Sequence, residues 1–187
     1  MKETRFIMSN VNKKTSDIVK LGILAAISVV LVYFIHFPII PAVAFLEYDP
    51  ADVPILLATF AMGPVQGFLL TIVVCLIQGF TVSASSGLYG ILMHVIATGT
   101  YVLVAGSIYK NNKTKKNAIK AMVFGILAWV LIMIPANLII TPIFMGMPRS
   151  ALIPFMPWIV LFNLVKSVVN SVLTFVLYKR VSPILHK

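Results

Sequence analysis

The sequence predicts an all-α integral membrane protein with six transmembrane helices and cytoplasmic N- and C-termini. Hydrophobic residues make up 60% of the chain and the mean hydropathy is +1.02, whereas soluble domains are about 45–50% apolar. The apolar residues fall into six runs, and basic residues separate these runs in a regular way. We expect residues 1–187 to form one membrane domain.

The six apolar runs each predict a helix. They cover residues 18–37, 51–62, 65–83, 88–109, 118–144 and 157–178. The second run is short for a span, because a helix rises only about 1.5 Å per residue. The pair Gly63-Pro64 predicts a break between the second and third helices.

Nearly all of the 15 Lys and Arg lie in three groups. These are Lys2, Arg5, Lys13, Lys14 and Lys20, then Lys110, Lys113, Lys115, Lys116 and Lys120, and finally Lys179, Arg180 and Lys187. The positive-inside rule places all three groups in the cytoplasm, including a tail (1–17) and a basic loop (110–117). An even number of crossings must then separate the first two groups, so run 51–62 counts as a span. The net charge of +10 follows from topology and gives no indication of nucleic-acid binding.

Lys166 lies well inside the last run, Trp158–Tyr178. A lysine near the centre of a membrane helix costs at least about 2.5–3.5 kcal/mol on insertion scales. Asn163 and Asn170 lie three residues before it and four after it, so all three side chains project from one face. This face is predicted to meet a partner, a cavity or a ligand rather than lipid.

Two interpretations of Lys166 stay open at this point. It binds a ligand, or it forms a salt bridge with Glu47, Asp49 or Asp52. Asn170 lies deeper in the membrane, where an interhelical hydrogen bond is the alternative to ligand contact.

Five polar residues share one predicted depth, roughly 8–13 Å below the outer face. They are Gln78, His94, Asn137, Asn163 and Lys166. Polar groups in hydrocarbon must be satisfied, so their convergence predicts an outward-opening pocket for a polar, uncharged or weakly anionic organic molecule. For each amide and for the histidine, hydrogen bonding between helices is the alternative.

The acidic residues beyond the N-terminal tail lie in the segment FLEYDPADVP. Asp49, followed by proline, is typical of a helix N-cap. Glu47 has no such role and is flanked by Leu46 and Tyr48. The apolar, proline-containing loop 38–50 is predicted to be a lid over the pocket, with a loop that dips into the membrane interface as the alternative.

Four motifs occur together in the chain: KLGILAAIS (20–28), FLEYDPADVP (45–54), GPVQGF (63–68) and NLVKSVVN (163–170). With them the sequence resembles, over essentially its whole length, the riboflavin-specific S components of energy-coupling factor (ECF) vitamin transporters. The resemblance implies a six-helix bundle in the bacterial plasma membrane that captures riboflavin from outside with high affinity. Its site would be formed by the first outer loop and the fourth to sixth spans.

The resemblance also implies roles for individual residues. Glu47 would bind the ribityl hydroxyls, and Asn137, Asn163 and Lys166 would pair with the uracil-like edge of the isoalloxazine ring. The remaining candidates are Leu46 and Tyr48 as apolar walls, and Gln78, His94 and Asn170 as contacts to the ligand or to neighbouring helices.

Energy for uphill transport is predicted to come from partner proteins. The chain contains no P-loop motif, and the carboxylates are expected at the outer end of the second helix rather than in a helix interior. The resemblance implies a coupling membrane protein, which docks on Gly22, Ala25 and Ala26, and two ATPases. The resemblance implies riboflavin as the transported ligand, and no metal or cofactor is expected.

Two other functional classes stay open beside this one. The first is a proton-coupled small-molecule carrier that works alone and uses Glu47 and Lys166. The second is an intramembrane enzyme, which is less favoured because the sequence contains no HExxH or GxSxG motif and no Cys/His cluster. We therefore do not expect an enzyme.

Overall fold

The computed structural model describes the backbone of residues 2–185 and the side chains of residues 14–182. Its helices are α1 (Lys2–Phe34), α2 (Asp52–Met62), α3 (Pro64–Phe80), α4 (Gly87–Asn111), α5 (Lys115–Met145), α6 (Arg149–Leu152) and α7 (Met156–Leu185). Two short strands, β1 (Phe37–Pro38) and β2 (Glu47–Tyr48), pair antiparallel. Three single 3₁₀ turns complete the described secondary structure. The side chains of Lys2, Arg5, Lys13 and Lys187, which the topology prediction used, lie outside the described ones.

The all-α membrane fold is confirmed. In the described part of the chain, four segments are long and apolar enough to cross a bilayer: Lys14–Phe34, Ala84–Asn111, Lys115–Met145 and Arg149–Ser182. Helices α2 and α3 are also apolar but have only 11 and 17 residues. The count of six crossings and the orientation of the termini therefore stay predictions. Helix α1 begins at Lys2, so residues 2–17 of the predicted tail 1–17 belong to the first helix.

Helices α2 and α3 form a tight hairpin at Gly63. Gly63 has φ +114° and its N–H donates to the Thr59 carbonyl oxygen. A Cβ added to Gly67 would lie 2.1 Å from Thr59 Oγ1, so the two helices pack directly against each other on either side of the turn. The predicted break at Gly63-Pro64 is thus confirmed, because this backbone conformation favours glycine.

Helix α2 lies in the interior of the bundle. Every residue from Asp52 to Ala61 is buried, and the helix contacts α1, α3, α4 and α7. At its C-terminal end the Phe60 ring packs against Tyr109 with centroids 5.0 Å apart, and Tyr178 Oη donates to the Phe60 carbonyl oxygen. These contacts hold the ends of α2, α4 and α7 at one level of the bundle.

Candidate substrate-binding site

The outer loop between α1 and α2 is anchored inside the bundle by its apolar residues. Ile40, Val43 and Tyr48 form a buried cluster with Leu152 of α6 and with Ile159 and Phe162 of α7. The β1–β2 pairing brings Phe37 opposite Tyr48. The loop therefore packs between the ends of the helices instead of lying over them. Leu46 and Glu47, in the same loop, line the cavity described below.

Asp49 is an ion-pair partner rather than a helix cap. Its Oδ2 lies 2.7 Å from Lys166 Nζ, and both side chains are buried. Its Oδ1 accepts a hydrogen bond from the Ala51 N–H. The predicted N-cap role is wrong, because α2 begins at Asp52 with Ala51 in the N-cap position. The salt-bridge alternative for Lys166 is confirmed, with Asp49 as the partner.

Asp52 is the centre of a second buried polar cluster. Its Oδ1 lies 2.8 Å from His94 Nε2 and accepts a 2.7 Å hydrogen bond from Thr98 Oγ1. Its Oδ2 accepts a hydrogen bond from Asn170 Nδ2. All four residues lie inside the bundle, so a carboxylate is buried at a depth where the sequence analysis expected none. The reason is that α2 is short and begins well below the ends of α4 and α7.

Asn170 joins the two carboxylates to the loop. Besides Asp52, its Nδ2 donates to the Asp49 carbonyl oxygen, and its Oδ1 accepts from Tyr48 Oη. Burial and then the nearby Asp49 charge raise the pKa of the Tyr48 phenol, so the phenol is a donor at neutral pH. Asn170 and Tyr48 thus hold the loop in place, and neither lines the cavity.

A cavity lies beside the Lys166–Asp49 pair, bounded by the loop and by α3, α4, α5 and α7. Of the residues predicted to bind substrate, it is lined by Leu46, Glu47, Gln78, His94, Asn163 and Lys166. Aromatic and apolar walls come from Tyr89, Trp129, Met133, Phe144 and Phe162. Lys166 is therefore tied to a carboxylate and also borders an open space.

Asn137 does not line this cavity, although the sequence placed it at the same depth. It is fully buried, its Nδ2 donates to the Met133 carbonyl oxygen, and its Oδ1 accepts from Thr141 Oγ1. Its neighbours Met133 and Thr141 do line the cavity. Its predicted contact with the ligand stays a prediction, and its observed bonds are internal to α5.

Asn163 is held by a residue that the sequence analysis missed. Trp129 Nε1 donates to Asn163 Oδ1 at 2.9 Å, and Asn163 Nδ2 donates to the Ile159 carbonyl oxygen. A buried tryptophan N–H needs an acceptor, so a tryptophan inside an apolar span was the signal that could have identified this pair.

Gln78 presents an unpaired acceptor. Its side chain is 8% exposed, its Nε2 donates to Ser83 Oγ, and its Oε1 has no hydrogen-bond partner. Among the described side chains, one other buried polar atom, Ser28 Oγ, is in the same position. A buried unpaired acceptor is costly. Gln78 lines the cavity, so a ligand donor would satisfy it.

The family of the chain follows from comparison with known proteins. A family model described as the substrate-specific component of ECF transporters matches residues 16–178. The chain belongs to this family. It is thus a multi-pass membrane protein of the S-component class.

Individual relatives of this S component cover most of its length. The riboflavin transporter RibU of Staphylococcus aureus is 28% identical over 183 residues, which are 94% of this chain and 95% of that protein. RibU of Streptococcus thermophilus is 27% identical and covers 97% of this chain and 88% of its own. A solved structure of the S component of a bacterial ECF transporter superposes with a TM-score of 0.82 at 27% identity, over 93% of this chain and 99% of that one. These relatives are transporter components, which agrees with the prediction that the chain is not an enzyme.

The three residues predicted to dock the coupling protein lie on different faces of α1. Gly22 and Ala26 are exposed, and a Cβ added to Gly22 would meet nothing within 4 Å. Ala25 is 7% exposed and packs in the core. Ala25 therefore does not belong to an exposed docking surface of this S component, because one helical step turns it toward the bundle.

Proposed function

We propose that this S component binds riboflavin from outside the cell with high affinity and carries it across the bacterial plasma membrane together with an ECF energy-coupling module. The observation that supports this most directly is the cavity, in which an ammonium, an amide and an unpaired amide oxygen meet between aromatic walls. Its relatives named as riboflavin transporters supply the identity of the ligand.

The polar groups of the cavity suit the uracil-like edge of riboflavin. That edge alternates carbonyl acceptors with an N–H donor. Lys166 has three N–H donors and gives one to Asp49, so the others are available to ring carbonyls. Gln78 Oε1 is an acceptor for the ring N–H or for a ribityl hydroxyl. Glu47 is exposed at the edge of the cavity, where it would accept hydrogen bonds from the ribityl chain.

The apolar part of the ligand would lie between aromatic side chains. Trp129, Phe162 and Phe144 line the cavity on α5 and α7, and aromatic groups favour offset or edge-to-face contact with another ring. Trp129 is fixed by its bond to Asn163. The site would therefore be largely formed before the ligand enters, as is usual for small-molecule sites.

The membrane topology belongs to the same proposal: six crossings with both ends in the cytoplasm. Helix α2, at about 1.5 Å per residue, extends through only about half of the hydrocarbon layer. Its complete burial makes this tolerable, because neighbouring helices rather than lipid surround it. The anchored outer loop fills the space above it.

Transport would depend on a coupling membrane protein and two ATPases. The exposed face of α1 around Gly22 and Ala26 can receive a helix of the coupling protein, because small residues let two helices approach closely. Replacing both residues with tryptophan should abolish uptake and leave flavin binding unchanged. Leu131→Trp, on an exposed position of α5, is the matched control and should leave both unchanged.

Ligand binding is tested with the purified protein. We expect a yellow protein, or quenching of riboflavin fluorescence when riboflavin is added to protein that was purified without ligand. Gln78→Leu should weaken riboflavin binding roughly tenfold without loss of thermal stability, because one hydrogen bond to the ligand is worth about 1 kcal/mol or more. Ser28→Ala removes the other unpaired buried oxygen, away from the cavity, and should have no effect on binding. A colourless protein that does not quench riboflavin fluorescence would overturn the proposal.

A second candidate function is a proton-coupled carrier that works alone. It is favoured by one observation, the direct contact of the buried Asp52 with the partly buried His94 within the bundle, because such pairs occur in proton relays. Vesicles that contain this chain without coupling proteins separate the two functions. Uptake driven by a proton gradient in these vesicles would support the carrier, and its absence would support the ECF mechanism.

A further inference from the structure

A second concave surface lies on the outside of the bundle, between α5 and α7, and we call it the α5–α7 groove. It is lined by Ile119, Met122, Val123 and Ile126 of α5 and by Val168, Ser171, Val172 and Phe175 of α7. Met122 and Ser171 are buried, whereas Val123 and Val172 are about half exposed. The groove therefore has buried residues at its base and exposed residues along its two edges.

Seven of the eight residues that line the groove are apolar. Ser171 is its one polar residue, and its hydroxyl is already bound to Tyr101 Oη and to the Ser167 carbonyl oxygen. The edges carry branched and aromatic side chains instead of the small residues that let two membrane helices approach closely. A flexible hydrocarbon chain therefore fits this surface better than a helix does.

A lysine continues the lining stripe on each helix. On α5 the lining positions Ile119, Val123 and Ile126 follow Lys116 at spacings of three, four and three residues. On α7, Val168, Val172 and Phe175 are followed by Lys179 four residues later. These are the spacings of one helix face, so each lysine lies on the same face as the groove. Both lysines are exposed.

The two lysines lie at the same end of the groove. Helices α5 and α7 are in contact where Trp129 bonds to Asn163. Lys116 lies 13 positions before Trp129 and Lys179 lies 16 positions after Asn163. Met122 lies seven positions before Trp129, and Ser171 lies eight positions after Asn163. These two residues meet in the groove. Since moving back along α5 and forward along α7 leads to the same place, the two helices run antiparallel. At about 1.5 Å per residue the two lysines then differ in depth by only about 5 Å.

We propose that the α5–α7 groove binds an anionic phospholipid, with one acyl chain in the groove and the phosphate between Lys116 and Lys179. Neither α5 nor α7 contains an acidic residue, so this end of the two helices carries only positive charge. Basic residues between membrane helices on the cytoplasmic side bind anionic head groups, and this is the side that the charge distribution predicts for both lysines. The site is independent of the identity of the transported ligand.

The test compares phosphatidylglycerol with phosphatidylcholine. The full chain is reconstituted with an equal mixture of the two lipids, and the lipids that it retains after transfer to detergent are counted by native mass spectrometry. We expect preferential retention of one phosphatidylglycerol. The double variant Lys116→Gln/Lys179→Gln should reduce this retention by roughly twenty-five-fold, at about fivefold for each lysine near an anionic lipid surface.

The matched control removes equal charge from positions off the stripe. Lys110 lies on α4, outside both helices of the groove, and Arg180 is turned about 100° from its neighbour Lys179. Both are exposed. Lys110→Gln/Arg180→Gln should keep the phosphatidylglycerol. Equal loss in both double variants, or equal retention of the two lipids by the unchanged protein, would overturn the proposal.

A steric variant tests the acyl chain separately from the charges. Val172→Trp fills the groove and should displace the lipid, whereas Leu173→Trp, on an exposed neighbouring face, should not. The thermal unfolding midpoint, measured on every variant, should stay unchanged and shows that the protein is folded. If the Val172→Cys variant crosslinks to the coupling protein in the assembled transporter, the groove holds a protein and the lipid proposal is refuted.

Discussion

The buried Lys166–Asp49 ion pair should make the stability of the protein sensitive to the loss of either charge. Nζ and Oδ2 are 2.7 Å apart, and the two side chains are 10% and 6% exposed. Removing one partner of a buried pair leaves an uncompensated charge, and this typically costs about 3–5 kcal/mol. Asp49→Asn should therefore lower the free energy of unfolding by about this amount, since the asparagine keeps the size of the side chain but not its charge.

The assay is unfolding in detergent micelles, combined with a fluorescence titration of riboflavin binding. Asp49→Asn should also weaken binding, because Asp49 orients the ammonium beside the cavity. The double variant Asp49→Asn/Lys166→Met removes both charges and should recover most of the stability but not the binding. Glu47→Gln neutralises an exposed carboxylate at the same cavity and should change stability by less than about 0.5 kcal/mol.

Either of two results would contradict this prediction. One is a loss of less than about 1 kcal/mol in Asp49→Asn, the value for an exposed pair. The other is a double variant as unstable as the single one, since the cost would then not arise from an unpaired charge.

Two further predictions concern packing and the site. Gly67→Ala places a Cβ 2.1 Å from Thr59 Oγ1, so it should destabilise the α2–α3 hairpin by about 1–3 kcal/mol. The control is Gly22→Ala, whose Cβ meets nothing within 4 Å and which should leave thermal stability equal or higher. Equal losses of stability in the two variants would contradict this prediction. Asn163→Leu leaves the N–H of Trp129 without its acceptor. It should therefore lower the free energy of unfolding by about 1–3 kcal/mol and weaken riboflavin binding at least tenfold. Unchanged tryptophan fluorescence together with unchanged binding would contradict this prediction.

The helices could be predicted from the sequence because hydrocarbon imposes a local rule. Backbone polar groups in hydrocarbon have no water to bind and must be paired within the protein, which a helix achieves within a single segment. Long apolar runs therefore become helices, and the four long ones do. The turn at Gly63 was readable for a similar reason, since glycine and proline act on their own backbone. The length of α2 did not reveal its depth, because a helix surrounded by protein obeys no rule of bilayer thickness.

The site could be predicted only in part. The face of α7 with Asn163 and Lys166 was readable, since a charge in a membrane span must face inward. The partner of Lys166 was left open among three carboxylates, and the choice of Asp49 depends on a contact over 117 positions. The capping pattern Asp-Pro suggested a different role for the same residue, and the long-range ion pair prevailed over it.

The class of the protein and the set of residues that must avoid lipid follow from hydropathy and charge, because each position interacts with the solvent around it. How those residues pair depends on the tertiary structure. The outer loop brings Asp49 and Asp52 down into the bundle, where they bind Lys166, His94 and Asn170. That depth follows from the packing of the loop's apolar residues against α6 and α7, and such packing is set by shape over long sequence distances rather than by any local pattern.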